Sequence, residues 1–239
     1  MTGARTLASI EASLRRRFRV VETDVHVGAA TVRMLHPASA EDLIDERDFE
    51  RDERLPYWAE LWPSSRVLGE HVRSMDGAGR TALELGCGSG LVSICAGLAG
   101  FDVVVSDYYE DACLFARVNA GRNGAPVPRG MLLDWRVMPT TLGRFDVVLA
   151  SDVLYERAYG ALVARAIAAT LAKDGLAFVA DPGRVGRGEF IRHATETGLR
   201  IRRTTELPFV EDAIRQTITV FEIGRDVRPT GPGRPGARS

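Results

Sequence analysis

The most constraining feature of this chain is a series of short, nearly continuous apolar runs that begins at Thr81. The runs are TALELG, DVVVSD, GMLLDW, FDVVLASD and LAFVAD, and all but the third lead into a helical stretch of sequence. Strands that lack apolar–polar alternation are buried on both faces, and helices between them supply the cover. The pattern therefore predicts an α/β fold with a doubly wound, mostly parallel sheet.

The last two strands are predicted to differ, because RIRRTTELPF and RQTITVFEIG follow each other without a helix between them. A short connection of this kind joins antiparallel strands. With the five apolar runs they make a seven-stranded sheet that ends in an antiparallel strand. Residues 225–239 hold three glycines, three prolines and no large apolar residue after Val227, which predicts a disordered tail.

The region before the sheet is predicted to extend the same domain. Residues 1–17 read as an amphipathic helix, and apolar–polar alternation on both sides of Gly28 predicts a β-hairpin. Residues 41–54 carry eight acids and three arginines, which fit either a solvated helix or loop or an acidic lip that attracts a cationic substrate. We predict an N-terminal extension over 1–75 and a core over 76–224, followed by the tail.

Composition narrows the functional class. The 239 residues are 45% hydrophobic with a net charge of −1, which gives no electrostatic case for binding nucleic acid or an anionic membrane. No apolar run approaches the about 18 residues of a membrane-spanning helix, and the N-terminus lacks the apolar stretch of a signal peptide. The three cysteines and four histidines show no metal-ligand spacing. We expect no metal and a reduced, cytoplasmic location, with a monomeric chain.

The strongest functional signal is the sequence ELGCGSG, which follows the first apolar run and opens a helix. Gly86 and Gly88 permit a tight turn where a ligand can approach the backbone, and the helix N-terminus offers free N–H groups. These glycines match the start of the dinucleotide fingerprint G-x-G-x-x-G. The third glycine would fall at Leu91, so the fingerprint is incomplete.

A second signal is Asp107 at the end of DVVVSD, 17 residues after Gly90. In a doubly wound sheet this position faces the same crevice as the glycine turn, and its carboxylate can accept hydrogen bonds from both hydroxyls of a ribose. The alternative is an N-cap for the next helix, a role that aspartate also fills. The two signals together predict a nucleoside-containing ligand, which can be NAD or S-adenosylmethionine.

Further segments carry a specific resemblance. ELGCGSG, with Glu84 ahead of its glycines, and VVVSDY resemble two motifs of the seven-β-strand (class I) S-adenosylmethionine-dependent methyltransferases. DVLY at 152–155 resembles the D-x-x-Y motif of the family 16 protein-lysine methyltransferases, and PYWAELWP and the DPGR at 181–184 resemble segments of the same group. The resemblance covers about residues 55–223. It implies a Rossmann-like fold with S-adenosyl-L-methionine as cofactor.

The resemblance also implies roles for individual residues. Asp152 would hydrogen-bond the ammonium group of an acceptor and Tyr155 would line the acceptor channel; the alternatives are a helix N-cap and a packing aromatic, respectively. Trp62 and Trp58 would cover the sulfonium, with hydrophobic packing as their alternative. The implied cofactor-binding residues are Trp62, Trp58, Glu84, Gly86, Gly88, Asp107, Tyr108, Trp135 and Ala150.

The expected activity is transfer of a methyl group to a lysine side chain of a protein substrate. One alternative is methylation of a small amine or of another side chain, because acceptor pockets are built from variable loops. Another is a catalytically idle S-adenosylmethionine-binding module that acts through a partner.

Overall fold

The computed structural model describes residues 6–40, 43, 56–139 and 142–226. The predicted acidic segment, apart from Leu43, lies outside the described residues, and so does the predicted disordered tail beyond Asp226.

The N-terminal extension begins with helix α1 (Leu7–Arg17) and a hairpin of strands β1 (Val20–Val27) and β2 (Ala30–Pro37), which confirms the predicted helix and strand pair. The hairpin turns at Gly28, whose φ of +56° favours glycine. A single 3-10 turn (Tyr57–Ala59) and helix α2 (Pro63–Arg73) then lead into the sheet.

The predicted seven-stranded sheet forms the centre of the described chain. Its strands are β3 (Thr81–Leu85), β4 (Asp102–Asp107), β5 (Arg129–Leu132), β6 (Phe145–Ser151), β7 (Leu171–Asp181), β8 (Leu199–Glu211) and β9 (Ile214–Arg225). They are arranged in the order β5-β4-β3-β6-β7-β9-β8. The first five pair in parallel, and β9 runs antiparallel to both β7 and β8, so the predicted antiparallel end is confirmed.

Helices cover both faces of this sheet. The remaining helices are α3 (Leu91–Leu98), α4 (Glu110–Arg122), α5 (Arg157–Thr170) and α6 (Arg187–Glu196). Alternate residues of each strand belong to different cores: Ala82 packs with α2, α3 and α4, whereas Leu83 packs with α5 and α6. This is the doubly wound arrangement that continuous apolar strands require. None of the helices in the described ranges is long and apolar enough to cross a membrane.

The N-terminal extension packs on the outer side of α3 and α4. The hairpin buries Val25 and Met34 beside Ile94 of α3, and α1 buries Leu14 beside Phe115 of α4. The fully buried side chain of Asn119 accepts from the N–H of Leu35 and donates to its carbonyl, both at 2.8 Å. The domain boundaries given above stay a prediction.

The strand order also determines where a ligand can enter. From β3 the chain proceeds to β4 and β5 on one side, and then returns to β6 and β7 on the other side. In open α/β sheets a crevice forms at the carboxyl ends of the strands where the order reverses in this way. Here that point lies between β3 and β6, which pair directly.

Candidate active site

A cleft opens at this reversal of strand order. It encloses about 970 Å³ of space free of protein atoms, including a part open to solvent. The predicted site residues in its wall are Trp58, Trp62, Gly86, Gly88, Asp107, Tyr108, Trp135, Asp152 and Tyr155. The fold therefore brings together residues from distant segments of the sequence, while their contact with a ligand stays a prediction.

The glycine turn follows β3 in a conformation that favours glycine. The φ angles are +68° at Gly86 and +51° at Gly88. A Cβ atom on Gly86 would lie 3.0 Å from the side chain of Val153, and one on Gly88 would lie 3.0 Å from the carbonyl oxygen of Trp58. The absence of side chains thus lets the 56–63 segment and the end of β6 approach the turn.

Asp107, at the end of β4, is hydrogen-bonded to this turn. Its Oδ2 accepts from the N–H of Gly88 at 3.0 Å, and its Oδ1 accepts from the N–H of Tyr109 at 3.1 Å. Burial raises the pKa of Asp107 to about 6, although the hydrogen bonds from the backbone oppose that rise. The carboxylate is mainly ionised at neutral pH. The N-cap position of α4 is held by Tyr109, so the N-cap alternative for Asp107 is not realised.

Two residues expected to contact the cofactor lie beneath the cleft. Glu84 and Ala150 are 1% and 0% exposed, and neither is among the lining residues. Both lie inside strands, and Glu84 accepts a hydrogen bond from the hydroxyl of Ser93 in α3. Burial raises the pKa of Glu84 to about 8, so this carboxyl is mainly protonated at neutral pH. Both residues therefore lie beneath the lining of the cleft, and their contact with a cofactor stays a prediction.

Tyr155 stands in the middle of a chain of aromatic rings along the cleft. Its ring centroid lies 5.1 Å from that of Tyr57 and 4.9 Å from that of Tyr159, both in edge-to-face geometry. The chain continues from Tyr57 to Trp62 at 6.1 Å and from Tyr159 to Trp135 at 5.8 Å. Burial raises the pKa of the Tyr155 hydroxyl, which stays protonated. Tyr155 therefore lines the cleft and packs at the same time, and edge-to-face contacts order this wall.

Trp58 and Tyr108 line the cleft from positions that are also structural. The ring of Trp58 lies 5.7 Å from Phe115 and 6.2 Å from Tyr109, which joins the 56–63 segment to α4. The guanidinium carbon of Arg136 lies 5.5 Å from the ring centroid of Tyr108. Both aromatic side chains are thus held in place by neighbouring side chains.

Asp152 follows β6 with a φ of +58°, which is uncommon for a residue other than glycine. Its N–H donates to the carbonyl of Ala180 at 2.9 Å, so the neighbouring strand holds this backbone. Its side chain is only 2% exposed; Oδ2 accepts from the hydroxyl of Ser64 at 3.0 Å and Oδ1 from Nε of Arg184 at 2.6 Å. The N-cap of α5 is Glu156, so the N-cap alternative for Asp152 is not realised either.

Ser64 and Arg184 were not among the predicted site residues. Arg184 belongs to the DPGR segment, which the resemblance singled out without assigning it a role. Ser64 is fully buried in the first turn of α2, and its sequence context carries no signal, because the partner lies 88 residues away. The guanidinium carbon of Arg184 also lies 5.0 Å from the ring centroid of Trp62.

Two polar atoms at the cleft have no hydrogen-bond partner among the described residues. They are the hydroxyl oxygen of Ser89, in the glycine turn, and Nε1 of Trp135. Buried polar groups are nearly always paired, because an unpaired one costs about 1–3 kcal/mol. Both atoms are themselves buried beneath the wall of the cleft.

The fold and the cleft together define a protein of the Rossmann-like methyltransferase class. The crystal structure of magnesium protoporphyrin IX methyltransferase from Synechocystis, solved with bound S-adenosylmethionine, superposes with a TM-score of 0.53. The match covers 76% of this chain and 93% of that chain at 20% identity, a level that shows a shared fold.

Residues 50–190 match the family described as lysine methyltransferase, and the chain belongs to that family. It is 35% identical over 107 residues to the electron transfer flavoprotein beta subunit lysine methyltransferase of Danio rerio, covering 43% of this chain and 40% of that relative. It is 32% identical over 102 residues to the histidine protein methyltransferase 1 homolog of Dictyostelium discoideum, covering 40% of this chain and 33% of that relative. The chain thus spans less than half of the length of these relatives.

Proposed function

We propose that this protein is an S-adenosyl-L-methionine-dependent protein-lysine N-methyltransferase. The observation that carries this proposal is the meeting of the glycine turn, Asp107 and Asp152 in one cleft with an aromatic wall. Membership of the lysine methyltransferase family supports methyl transfer as the reaction. The relative named as a lysine methyltransferase supports lysine as the acceptor.

The residues of the cleft fit S-adenosylmethionine. Asp107 keeps acceptor capacity beyond its hydrogen bonds from the backbone, and it can accept hydrogen bonds from the hydroxyls of a ribose. The ring of Trp62 can attract a cation in the cleft through a cation–π contact, as its contact with the guanidinium of Arg184 shows. When bound, the cofactor supplies an electrophilic methyl group.

The residues around Asp152 fit an amine acceptor. A lysine side chain has a pKa near 10.4 and enters as an ammonium ion, which a buried carboxylate can hydrogen-bond and orient. The proton passes to solvent before the N–C bond forms, because only the neutral amine has a lone pair to direct at the methyl carbon. Tyr57, Trp62 and Tyr155 exclude water from the aligned pair, so positioning and desolvation are the main contributions of this chain.

The test is methyl transfer from isotope-labelled S-adenosylmethionine to the proteome of the source organism, read by mass spectrometry of the labelled peptides. Asp152→Asn should lower turnover by about 100-fold or more while the cofactor dissociation constant stays within about twofold. Asp174→Asn, at an exposed position, is the matched control. Unchanged turnover of Asp152→Asn, or label found in low-molecular-mass compounds alone, would contradict the proposal.

A second candidate activity is methylation of another nitrogen. The similarity to the histidine protein methyltransferase 1 homolog supports it, because the acceptor that this relative is named for is the imidazole of histidine. The same peptide spectra separate lysine from histidine, and size fractionation of the label separates proteins from small amines. If the protein is instead a catalytically idle S-adenosylmethionine-binding module, the wild-type chain should bind the cofactor without transferring a methyl group.

Further properties are inferred for the chain as a whole. We infer a monomeric cytoplasmic protein whose partner is a protein with an accessible lysine, and which uses no nucleic acid, membrane or metal. The net charge of −1 supports the part that concerns nucleic acid and anionic membranes. Light scattering and cell fractionation test the oligomeric state and the location.

A further inference from the structure

A cation already sits where an acceptor ammonium would bind. The Nε–H of Arg184 donates to Asp152 at 2.6 Å, and the guanidinium carbon lies 5.0 Å from the ring centroid of Trp62. A carboxylate and an aromatic face are the two groups that recognise an alkylammonium ion. Arg184 therefore occupies the contacts that the proposed acceptor needs.

The backbone around Arg184 is held while its side chain can leave. The carboxylate of Asp181 accepts from the N–H of Gly183 at 2.9 Å and from the N–H of Arg184 at 3.2 Å, and it also pairs with Arg187 at 2.6 Å. The side chain of Arg184 is 32% exposed, in contrast to 2% for Asp152. Rotation about the side-chain bonds alone can thus carry the guanidinium into solvent.

Electrostatics favour replacement of the Arg184 guanidinium by another cation over its departure alone. A buried carboxylate that loses its cation without a replacement carries a large desolvation penalty. Among the described residues, the Ser64 hydroxyl is the side-chain partner that Asp152 keeps when Arg184 departs. A second cation therefore stabilises the state in which the first one has left, and a neutral side chain of equal length cannot compensate the charge.

We propose that Arg184 is a placeholder for the acceptor ammonium group, which displaces its guanidinium from Asp152. The acceptor is selected as an alkylammonium ion because only a cation can take over both the carboxylate and the face of Trp62. This inference rests on the proposed function of the cleft and specifies how that cleft selects its acceptor class.

The first experiment follows the side-chain Nε–H signal of Arg184 by ¹⁵N NMR in the full-length wild-type protein. The probe is Nα-acetyl-lysine-N-methylamide, and the matched neutral control is Nα-acetyl-norleucine-N-methylamide. The lysine probe should move the signal from its ion-paired position toward that of a solvated arginine, and the norleucine probe should not. A signal that stays ion-paired while the lysine probe saturates the cleft would overturn the proposal.

The second experiment measures the affinity of the same lysine probe in variants. Arg184→Ala should bind the probe about tenfold more tightly if Arg184 occupies Asp152 about nine-tenths of the time. Arg192→Ala, which removes an exposed arginine from α6, should bind like wild type. Equal or weaker binding by Arg184→Ala, with thermal unfolding showing that it is folded, would overturn the proposal, as would absence of binding in both proteins.

Both titrations are run with and without S-adenosylhomocysteine. Calorimetry that shows no uptake of S-adenosylmethionine would end the proposed function. The NMR and affinity measurements detect the displacement of Arg184 from Asp152 without needing turnover. If the protein binds the cofactor but Arg184 is not displaced, the placeholder role is wrong and the proposed function is unaffected.

Discussion

The carboxylate of Asp107 accepts a hydrogen bond from the backbone N–H of Gly88 at 3.0 Å, which joins the ends of β3 and β4. Its second oxygen accepts from Tyr109 at 3.1 Å, at the start of α4. The acid and the glycine turn are therefore one hydrogen-bonded unit. A change to either residue should alter the shape that both present to a ligand.

Asp107→Asn should weaken binding of S-adenosylhomocysteine by about tenfold or more, since a tenfold loss corresponds to about 1.4 kcal/mol. The amide keeps one acceptor and directs a donor at a backbone N–H or at the ligand. Isothermal titration calorimetry provides the measurement. Asp102→Asn, at the exposed opposite end of β4, is the control and should bind like wild type. Equal dissociation constants for the two variants would contradict the role of Asp107.

Gly88→Ala should lose both stability and cofactor affinity. The new Cβ would pay the strain of a φ of +51° and would lie 3.0 Å from the carbonyl oxygen of Trp58. Gly79→Ala separates the two effects, because Gly79 has a φ of +71° and nothing within 4 Å of its Cβ position. Both variants should lose about 1 kcal/mol from strain. Calorimetry should show weakened cofactor binding for Gly88→Ala alone, and an equal loss in both would contradict a close approach at the turn.

Glu84 should make the free energy of unfolding fall as pH rises. Burial raises its folded pKa from 4.5 to about 8, so between these values the folded state binds more protons than the unfolded state. Stability then decreases with pH by up to about 1.4 kcal/mol per unit from this group. Glu84→Gln lacks that proton, so its stability relative to wild type should grow from pH 5 to pH 8 in denaturant titrations. The charge of Asp107 also raises the pKa of Glu84, so the measured difference includes the coupling between these two carboxyl groups. A difference that is constant with pH would contradict the buried, protonated Glu84.

Asn119→Ala should weaken the attachment of the hairpin to α4. This side chain bonds both backbone groups of Leu35 and donates to the carbonyl of Ser89 at 2.9 Å, so it links the N-terminal extension to the glycine turn. Loss of these buried bonds should lower the free energy of unfolding by about 3 kcal/mol. Asn123→Ala is a matched control, because Asn123 makes the same pair of bonds to Arg33 near the surface. It should lose about 1 kcal/mol or less. Equal losses in denaturant unfolding would contradict the inference that burial sets the difference.

Local patterns in the chain were enough to predict the sheet and the general location of the site. Continuous apolar runs indicate strands covered on both faces, and the missing helix before RQTITVFEIG indicates the antiparallel end. Gly86 and Asp107 are the last residues of two consecutive apolar runs, so their meeting at one sheet edge follows from the alternation of strand and helix. These features depend on near neighbours in sequence, which is why they can be read without coordinates.

The partners of Asp152 depend on the packing of distant segments. Ser64 lies 88 residues before it and Arg184 lies 32 residues after it, and each arrives on a different element. The burial of Glu84 likewise follows from the cover supplied by α3, although its place in the motif suggested a ligand contact. Residue type and spacing say which groups can bind a cation or a nucleoside. Long-range contacts decide which of these groups are already paired within the protein. The free-energy cost of burying a charge depends on the partners that distant segments bring to it in the folded structure.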